Sequence, residues 1–361
     1  MSIPACLNYI GSKKKLLTSI DKIVLSINNE IKSTKPLHFL DGFAGSGIVG
    51  KYFNTKYKYR ITSNDLEYYS YILNYANLKI NYSDRMAELI SSMDILSSTM
   101  NENYNLITRE YSLEGKDKRM FWTVENTKKA DAIMCYIDEH NLTSDEKIFI
   151  VASLITSLDK VANTTSVYGA YLKHFKKSAM NVFKLMPIHT LTDIKNIDTN
   201  CIYNQNINSK EIYRGKYDIV YLDPPYNERQ YGSNYHPLNY IARYDINIET
   251  YGKTGLIKNY NKSNYCYKNK AIEDFTELID NLCTKYILVS YNNEGIIPQE
   301  DFIKILCRKG NVTLYKIKYK KFKSSDKQED CTTYEYLYKC VVKMDDSIHS
   351  IIPFTEIIID V

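Results

Sequence analysis

Residues 217–231 read YDIVYLDPPYNERQY, an apolar run that stops at an aspartate followed by two prolines and a tyrosine. A short, continuous apolar run of this kind fits a strand buried on both faces. Proline cannot donate to a ladder and fixes φ, and it pushes the residue before it out of the helical region. The chain must therefore leave its sheet at Asp223 in a stiff turn. That turn holds the Asp223 carboxylate and the Pro224 carbonyl as fixed acceptors, with Tyr226 as a flat face beside them. The grouping suits a planar ring that carries an exocyclic amine.

Upstream, Leu37 to Leu40 read as a strand running into DGFAGSG, and Ile48 to Phe53 read as the start of a helix. Arg60 to Ser63 suggest a strand ending in Asn64 and Asp65, followed by a helical pattern from Leu66 to Ile80. Asn200 to Tyr203 and Tyr286 to Ser290 add strand candidates, and the alternation predicts an open α/β sheet. Ligands of such sheets bind beyond the carboxyl ends of the strands, where glycines admit close approach and a helix N-terminus offers unpaired N–H groups. Gly45 and Gly47 are placed for that, Asp41 opens the turn, and Asp65 can accept from ribose hydroxyls. The turn lacks GxxxxGK[ST] and its glycine spacing does not match GxGxxG, which disfavours an ATPase and, more weakly, a hydride-transfer enzyme. A tight turn needing positive φ would use the same glycines without any ligand. Against that reading, Asp41, Asp65 and Asp223 all fall at strand ends expected along one rim.

From Ser83 to Lys195 the pattern changes to helices with long polar connections, read as an inserted domain. Thr143 and Glu146 have capping-box spacing, and Ile148, Val151, Ile155, Leu158 and Ala162 form a core stripe. Lys173, His174, Lys176, Lys177 and Lys184 gather near Tyr168 and Tyr171, a mixture that fits phosphate contacts or a solvated lysine face. Arg229, Gln230 and Tyr231 follow the proline corner and either grip nucleic acid or form a packed polar loop. Lys253, Lys258 and Lys262 lie in a Lys-, Asn- and Tyr-rich segment, 251–270, expected to be a mobile loop that orders on DNA.

A formal net charge of +5 permits a nucleic-acid partner without requiring one. The cysteines form no CxxC pair, which argues for reduced thiols rather than a zinc site or disulfide framework. Ile148 to Leu158, the longest apolar stretch, falls short of a bilayer span, and no signal-type segment opens the chain. A cytoplasmic protein without a membrane segment is expected. His174, His189 and His236 do not gather at metal-ligand spacing, so no metal is expected.

Tyr9, Gly11, Ser12 and Lys13, then DGFAGSG, then DPPY, follow the motif order of the Dam-like, D12-class N6-adenine-specific DNA methyltransferases, which the chain resembles. The coverage is broad, since NERQYGSNYHPLNYI, LDKVANTTSVYGAYLK and KYILVSYNNEG also look like stretches from a bacterial branch of that family. The resemblance implies an α/β, Rossmann-like methyltransferase sheet with helices on both faces. Residues 1–82 and 196–361 would form its catalytic domain, and 83–195 an inserted, mainly helical target-recognition domain. It further implies S-adenosyl-L-methionine as methyl donor, with Tyr9 and Lys13 beside it, a pocket of Asp41, Phe43, Gly45, Gly47 and Asp223, and Asp65 on the ribose. A family position usually acidic and close to the cofactor's adenine falls at Asn206, which can accept a hydrogen bond but carries no charge. Double-stranded DNA is the implied partner, and a cognate restriction endonuclease a candidate one.

The chemistry read from the corner agrees. Adenine N6 is a poor nucleophile because its lone pair is delocalised into the ring. Acceptors at Asp223 and the Pro224 carbonyl would draw its N–H bonds from the ring plane and localise that pair, so positioning rather than a strong base carries the reaction. Inside a duplex the base must first be extruded. Tyr226 is the obvious stacking platform, worth roughly 1–3 kcal/mol. The expected activity is site-specific methylation of adenine N6 in duplex DNA, for restriction-modification or epigenetic marking. Cytosine N4 or RNA adenine methylation uses the same amine chemistry, and a silent DNA-binding subunit would have no need of Asp223 and Tyr226.

Overall fold

The computed structural model describes residues 7, 11, 13–320, 332–343 and 354–359. Helix α1 (Leu17–Ile31) precedes β1 (His38–Asp41), α2 (Ile48–Tyr57), β2 (Arg60–Asp65) and α3 (Tyr68–Lys79). Four helices follow: α4 (Asp84–Asp94), α5 (Leu106–Tyr111), α6 (Val124–Glu139) and α7 (Ser144–Lys160). After a long irregular stretch come β3 (Cys201–Asn204), α8 (Lys210–Tyr213), β4 (Lys216–Leu222), α9 (Tyr231–Asn234) and α10 (His236–Arg243). A small ribbon, β5 (Thr250–Tyr251) with β6 (Leu256–Ile257), leads to α11 (Ala271–Asn281), β7 (Cys283–Asn292) and α12 (Gln299–Lys309). Three strands close the chain: β8 (Gly310–Lys320), β9 (Thr332–Val342) and β10 (Phe354–Ile359).

The main sheet runs β3-β2-β1-β4-β7-β9-β8-β10. Strands β3, β2, β1, β4 and β7 pair in parallel, while β9 lies antiparallel between β7 and β8. The predicted α/β, Rossmann-like sheet is thus observed. Chain order reverses between β1 and β4, the kind of place where an open sheet leaves a crevice.

Period-two alternation explains how one strand serves two layers. In β4, Ile219 and Tyr221 face a core shared with Ile20, Val24 and Phe53, from α1 and α2. Val220 and Leu222 face the opposite core, with Phe275, Leu278 and Phe302 of α11 and α12. Such a strand reads as continuously apolar because both of its sides are buried.

Helix α7 begins with the anticipated capping box: Glu146 N–H donates to Thr143 Oγ1 at 3.2 Å and Thr143 N–H donates to Glu146 Oε2 at 2.8 Å. Its buried face packs in a third core with α3 to α6 and α10, built around Tyr69, Leu73, Ile133, Leu154, Trp122 and Leu238. The helices of 84–160 therefore share one core with α3 and α10, the two helices that flank the sheet's rim.

The structure differs from expectation over 251–270, which is built into the fold rather than left as a loose loop. Arg119, only 2 % exposed, pairs with Glu110 and Asp117 and donates to the carbonyls of Gly252 at 3.1 Å and Lys253 at 3.3 Å. Tyr111 donates to the Gly255 carbonyl, and Asn261 donates to that of Leu66. A buried guanidinium needs acceptors, and the polar ribbon supplies them, so composition alone mistook a satisfied network for mobility.

Replacing Arg119 with Ala removes the buried guanidinium that joins Glu110 and Asp117 to the ribbon's carbonyls, and frees the ribbon. The expected loss is about 3–5 kcal/mol in urea unfolding, with hydrogen exchange across 250–257 accelerated. Unchanged exchange there would refute the anchoring role.

Candidate functional site

Parallel register sets the site. Asp41 at the end of β1 lies opposite Ser63 of β2 and Tyr221 of β4, so Asp41, Asp65 and Asp223 come out along one rim. The turn after β1 is tied on both sides, with Gly42 N–H donating to the Tyr221 carbonyl at 2.9 Å and Ala44 N–H to that of Asn64 at 3.0 Å. Gly47 begins α2 at φ +77°, and a Cβ there would stand 2.6 Å from Asn74 Oδ1, so no other residue fits.

The carboxylates divide the work. Asp41 Oδ2 accepts from Gly50 N–H at 2.9 Å and so satisfies a donor in the first turn of α2. Burial pushes its pKa up to about 7; the Gly50 bond opposes this, while Asp223 and Asp65 add to it. Asp65 accepts from Gly45 N–H at 2.7 Å and Glu67 N–H at 2.9 Å, and burial raises its pKa against those bonds. Glu67, which the sequence did not single out, is buried, accepts from Asn239 Nδ2 at 2.6 Å, and is pushed by burial to about 8.

At the proline corner, Lys13 Nζ lies 2.9 Å from Asp223 Oδ1 and 2.8 Å from Glu335 Oε1 of β9. Burial disfavours the Lys13 ammonium, yet the two carboxylates outweigh it and hold its pKa well above the ordinary lysine value. Asp223 is pushed up to about 6, chiefly by burial and further by Glu335, with Lys13 opposing. The corner is fastened from behind, since Tyr291 donates to the Pro225 carbonyl at 3.4 Å and Ile296 N–H to that of Tyr226 at 3.2 Å.

Corner and glycine turn open onto a single cleft, whose wall includes Gly42, Phe43, Asp223 and Tyr226. Phe43, Asp65, Asn206, Asp223 and Tyr226 form part of its wall, as do Gln230, Tyr231 and Lys262 at the outer side. Asp41, Gly45, Gly47, Pro224 and Lys13 are not part of that wall. Asp41 and Lys13 support it from below through the bonds just described, and Pro224 is buried. Tyr9 and Ser12 lie outside the described residues.

Gln230 is buried, and its amide is spent on the chain itself, donating to the Ser263 carbonyl at 3.1 Å and accepting from Ser263 N–H at 2.7 Å. Lys176 donates to the Thr164 carbonyl at 2.7 Å, and Lys258 pairs with Glu249 at 2.8 Å. Lys262 lies over the Tyr260 ring, while Lys173, Lys177, Arg229 and Lys253 are exposed.

Two buried polar atoms in the wall residues have no partner among the described residues, Asn64 Oδ1 and Gln205 Nε2. Phe43 and Ile207 give this side of the wall apolar faces suited to a flat ring, while those two atoms lie beneath the wall's surface. Asn64 and Glu67 lie beside Asp65 in sequence and Gln205 beside Asn206, a positional hint that was available; Glu335 carried no such signal.

Asp41, Glu67 and Asp223 all hold protons more tightly when folded than carboxyls do in an unfolded chain. Their contribution to stability is full below about pH 4 and is lost as pH rises through about 6, 7 and 8. Urea unfolding of the ligand-free protein should therefore show stability declining from about pH 5 to about pH 8. Asp41→Asn, which keeps an acceptor for Gly50, should flatten the portion near neutrality, and an unaltered slope would remove Asp41 as its source.

The chain matches the family model described as D12 class N6 adenine-specific DNA methyltransferase over residues 9–305. It is 39% identical over 343 residues to the type II methyltransferase M.NlaIII of Neisseria lactamica, covering 92% of this chain and 98% of that protein. Type II methyltransferase M.CviAII of Paramecium bursaria Chlorella virus 1 is 35% identical over 334 residues, covering 92% of this chain and 97% of its own. Type II methyltransferase M.FokI of Planomicrobium okeanokoites is 37% identical over 350 residues, which span 92% of this chain and 52% of that longer protein.

Proposed function

The chain belongs to the D12 class of N6 adenine-specific DNA methyltransferases, and from that premise we propose how its cleft divides between two ligands. S-adenosylmethionine takes the glycine-turn side, and the amine of an adenine extruded from duplex DNA takes the corner at 223–226. The observation that carries this reading is the single cleft shared by Phe43 and Asp65 on one side and Asp223 and Tyr226 on the other.

The residues present fit the methyl donor. Phe43 and Ile207 offer apolar faces to a purine, and Asp65 or Glu67 an acceptor to ribose hydroxyls. Asn206 also lines this side, though its Oδ1 already accepts from Asn208 N–H at 3.0 Å. When bound, the donor supplies a methyl group made electrophilic by a sulfonium.

The chain's own contribution is placement. With Oδ1 held by Lys13, Asp223 meets the amine through its other oxygen, and the Pro224 carbonyl accepts the second N–H. Two fixed acceptors turn the nitrogen lone pair toward the methyl group, and no side chain has to remove a proton beforehand. Tyr226 and Tyr231 replace the stacking lost on extrusion. The helices of 83–195 serve target recognition, with exposed Lys173 and Lys177, as well as Arg229, Lys253 and Lys262, set against phosphates. Among the described residues no helix is long and apolar enough to cross a membrane. The family relatives are type II methyltransferases by name, so a cognate restriction endonuclease is proposed as the functional partner.

Incubation with isotopically labelled S-adenosylmethionine and unmethylated duplex DNA, followed by nucleoside analysis, should give N6-methyladenine. Label in N4-methylcytosine, or only in RNA, would overturn the substrate assignment. Asp223→Ala should retain cofactor affinity while losing transfer by roughly 100-fold or more.

Lys173→Ala with Lys177→Ala should weaken DNA binding and lower the slope of log affinity against log salt by up to about 2. An unchanged slope would mark both lysines as a solvated face.

A further inference from the structure

We propose that Glu335 is a positioning residue for the transfer step: by sharing the Lys13 ammonium with Asp223, it keeps the corner net negative and Asp223 a strong acceptor. The inference rests on reading 223–226 as the amine-binding corner. Its basis is a geometry that sequence distance conceals. Because β9 is antiparallel to its parallel neighbours, its first residues lie at the end of the sheet where they terminate, with Glu335 opposite Asn292, the last residue of β7. Ser290 of β7 donates to Glu335 Oε1 at 3.0 Å, so the carboxylate is fixed before it meets Lys13. Lys13 Nζ then sits between Glu335 and Asp223 at 2.8 and 2.9 Å, with the ammonium almost wholly buried.

Charge decides what this does. Asp223, Lys13 and Glu335 together carry one net negative charge, whereas Asp223 and Lys13 alone would carry none. As the N6 lone pair forms the new N–C bond, the methyl–sulfur bond breaks with its pair left on sulfur. Positive charge therefore moves onto nitrogen, which afterwards sheds a proton to water. A corner left neutral by an unshared lysine would stabilise that arrival less, and beside buried charges the difference is felt strongly. The other titratable groups facing Asp223 are the phenols of Tyr221, Tyr226, Tyr231 and Tyr291 and the Asp41 carboxyl. Burial keeps those phenols protonated, and Asp41, pushed up to about 7, is only partly ionised at neutral pH and does not touch Lys13; the second carboxylate on the Lys13 ammonium is that of Glu335. Beyond Lys13 and Asp223, Glu335 itself faces Ser290 and the Tyr226 phenol.

The test uses the full chain with Glu335→Gln and Glu335→Asp. Single-turnover transfer is followed from about pH 5 to about pH 9, and the Asp223 carboxyl is titrated by ¹³C NMR without cofactor or DNA. In Glu335→Gln the Asp223 titration should fall by about one pH unit, since the like charge that raised it is gone. The acid limb of the rate should move down with it, and the plateau should drop about tenfold or more. Glu335→Asp should fall between that variant and the parent in both readouts. A purely structural Glu335 would lower melting temperature and rate while leaving the Asp223 titration in place, and that result overturns the proposal. If Glu335→Gln does not fold, Glu335→Ala, which also removes the charge, takes its place, and an unmoved Asp223 titration there has the same force. A parent protein that transfers no methyl group sinks the amine-binding reading instead, and the NMR titration still judges whether Glu335 governs Asp223.

Discussion

Parallel pairing of β1 with β4, with Asp41 beside Tyr221, is the constraint from which the site follows. Strands paired this way must terminate together, so two loops far apart in sequence are delivered to one rim. The two differ in character. One is a glycine turn drawn against the sheet by bonds to Tyr221 and Asn64, and the other is a proline corner that can hardly bend. On the proposed reading, a cleft between a close-fitting turn and a rigid corner would keep two ligands at a fixed separation, which a group transfer between them requires.

Electrostatics gives that cleft its sign. Asp41, Asp65, Glu67 and Asp223 are all buried enough to raise their pKa values, and one buried cation, Lys13, lies among them. Such an arrangement costs the folded protein stability at neutral pH, since burying carboxylates is unfavourable unless they are paired. Functional sites are where such costs are retained. On the proposed reading the compensation is a ligand bearing a sulfonium, whose charge would pass from sulfur to nitrogen within the same negative surroundings.

Much of this was legible in the residues. Strand β4 announced itself by an unbroken apolar run ending at Asp223, β1 and β2 by short apolar segments closing in aspartates, and α7 by its capping box. These are local signals, set by what a few adjacent residues can bury or bond. Glu335 was silent because its role depends on an antiparallel strand entering a parallel sheet, 322 residues away from Lys13 along the chain. Segment 251–270 misled for a related reason. Its Lys, Asn and Tyr content resembles a free loop until the buried Arg119 that requires its carbonyls is placed beneath it. Gln230 likewise looked available to DNA, and only the fold shows its amide closed onto Ser263.

How sequence reading at a distance could reach the rim follows from the third core. Helices α4 to α7 share their core with the sheet's helices: Leu154 and Trp122 pack in the same cluster as Tyr69 and Leu73 of α3 and Leu238 of α10. Helix α3 begins one residue after Glu67, in the cleft wall, and Asn239 of α10 bonds both the Glu67 carboxylate and the Tyr69 backbone. Close-packed interiors transmit displacement instead of absorbing it. A duplex gripped by the helical layer would thus press on the two helices that carry the cleft's inner wall, and strain from a mismatched site would reach Glu67 and Asp65 through Asn239. On the proposed reading, recognition and chemistry would be joined by this shared packing, without a hinge between them.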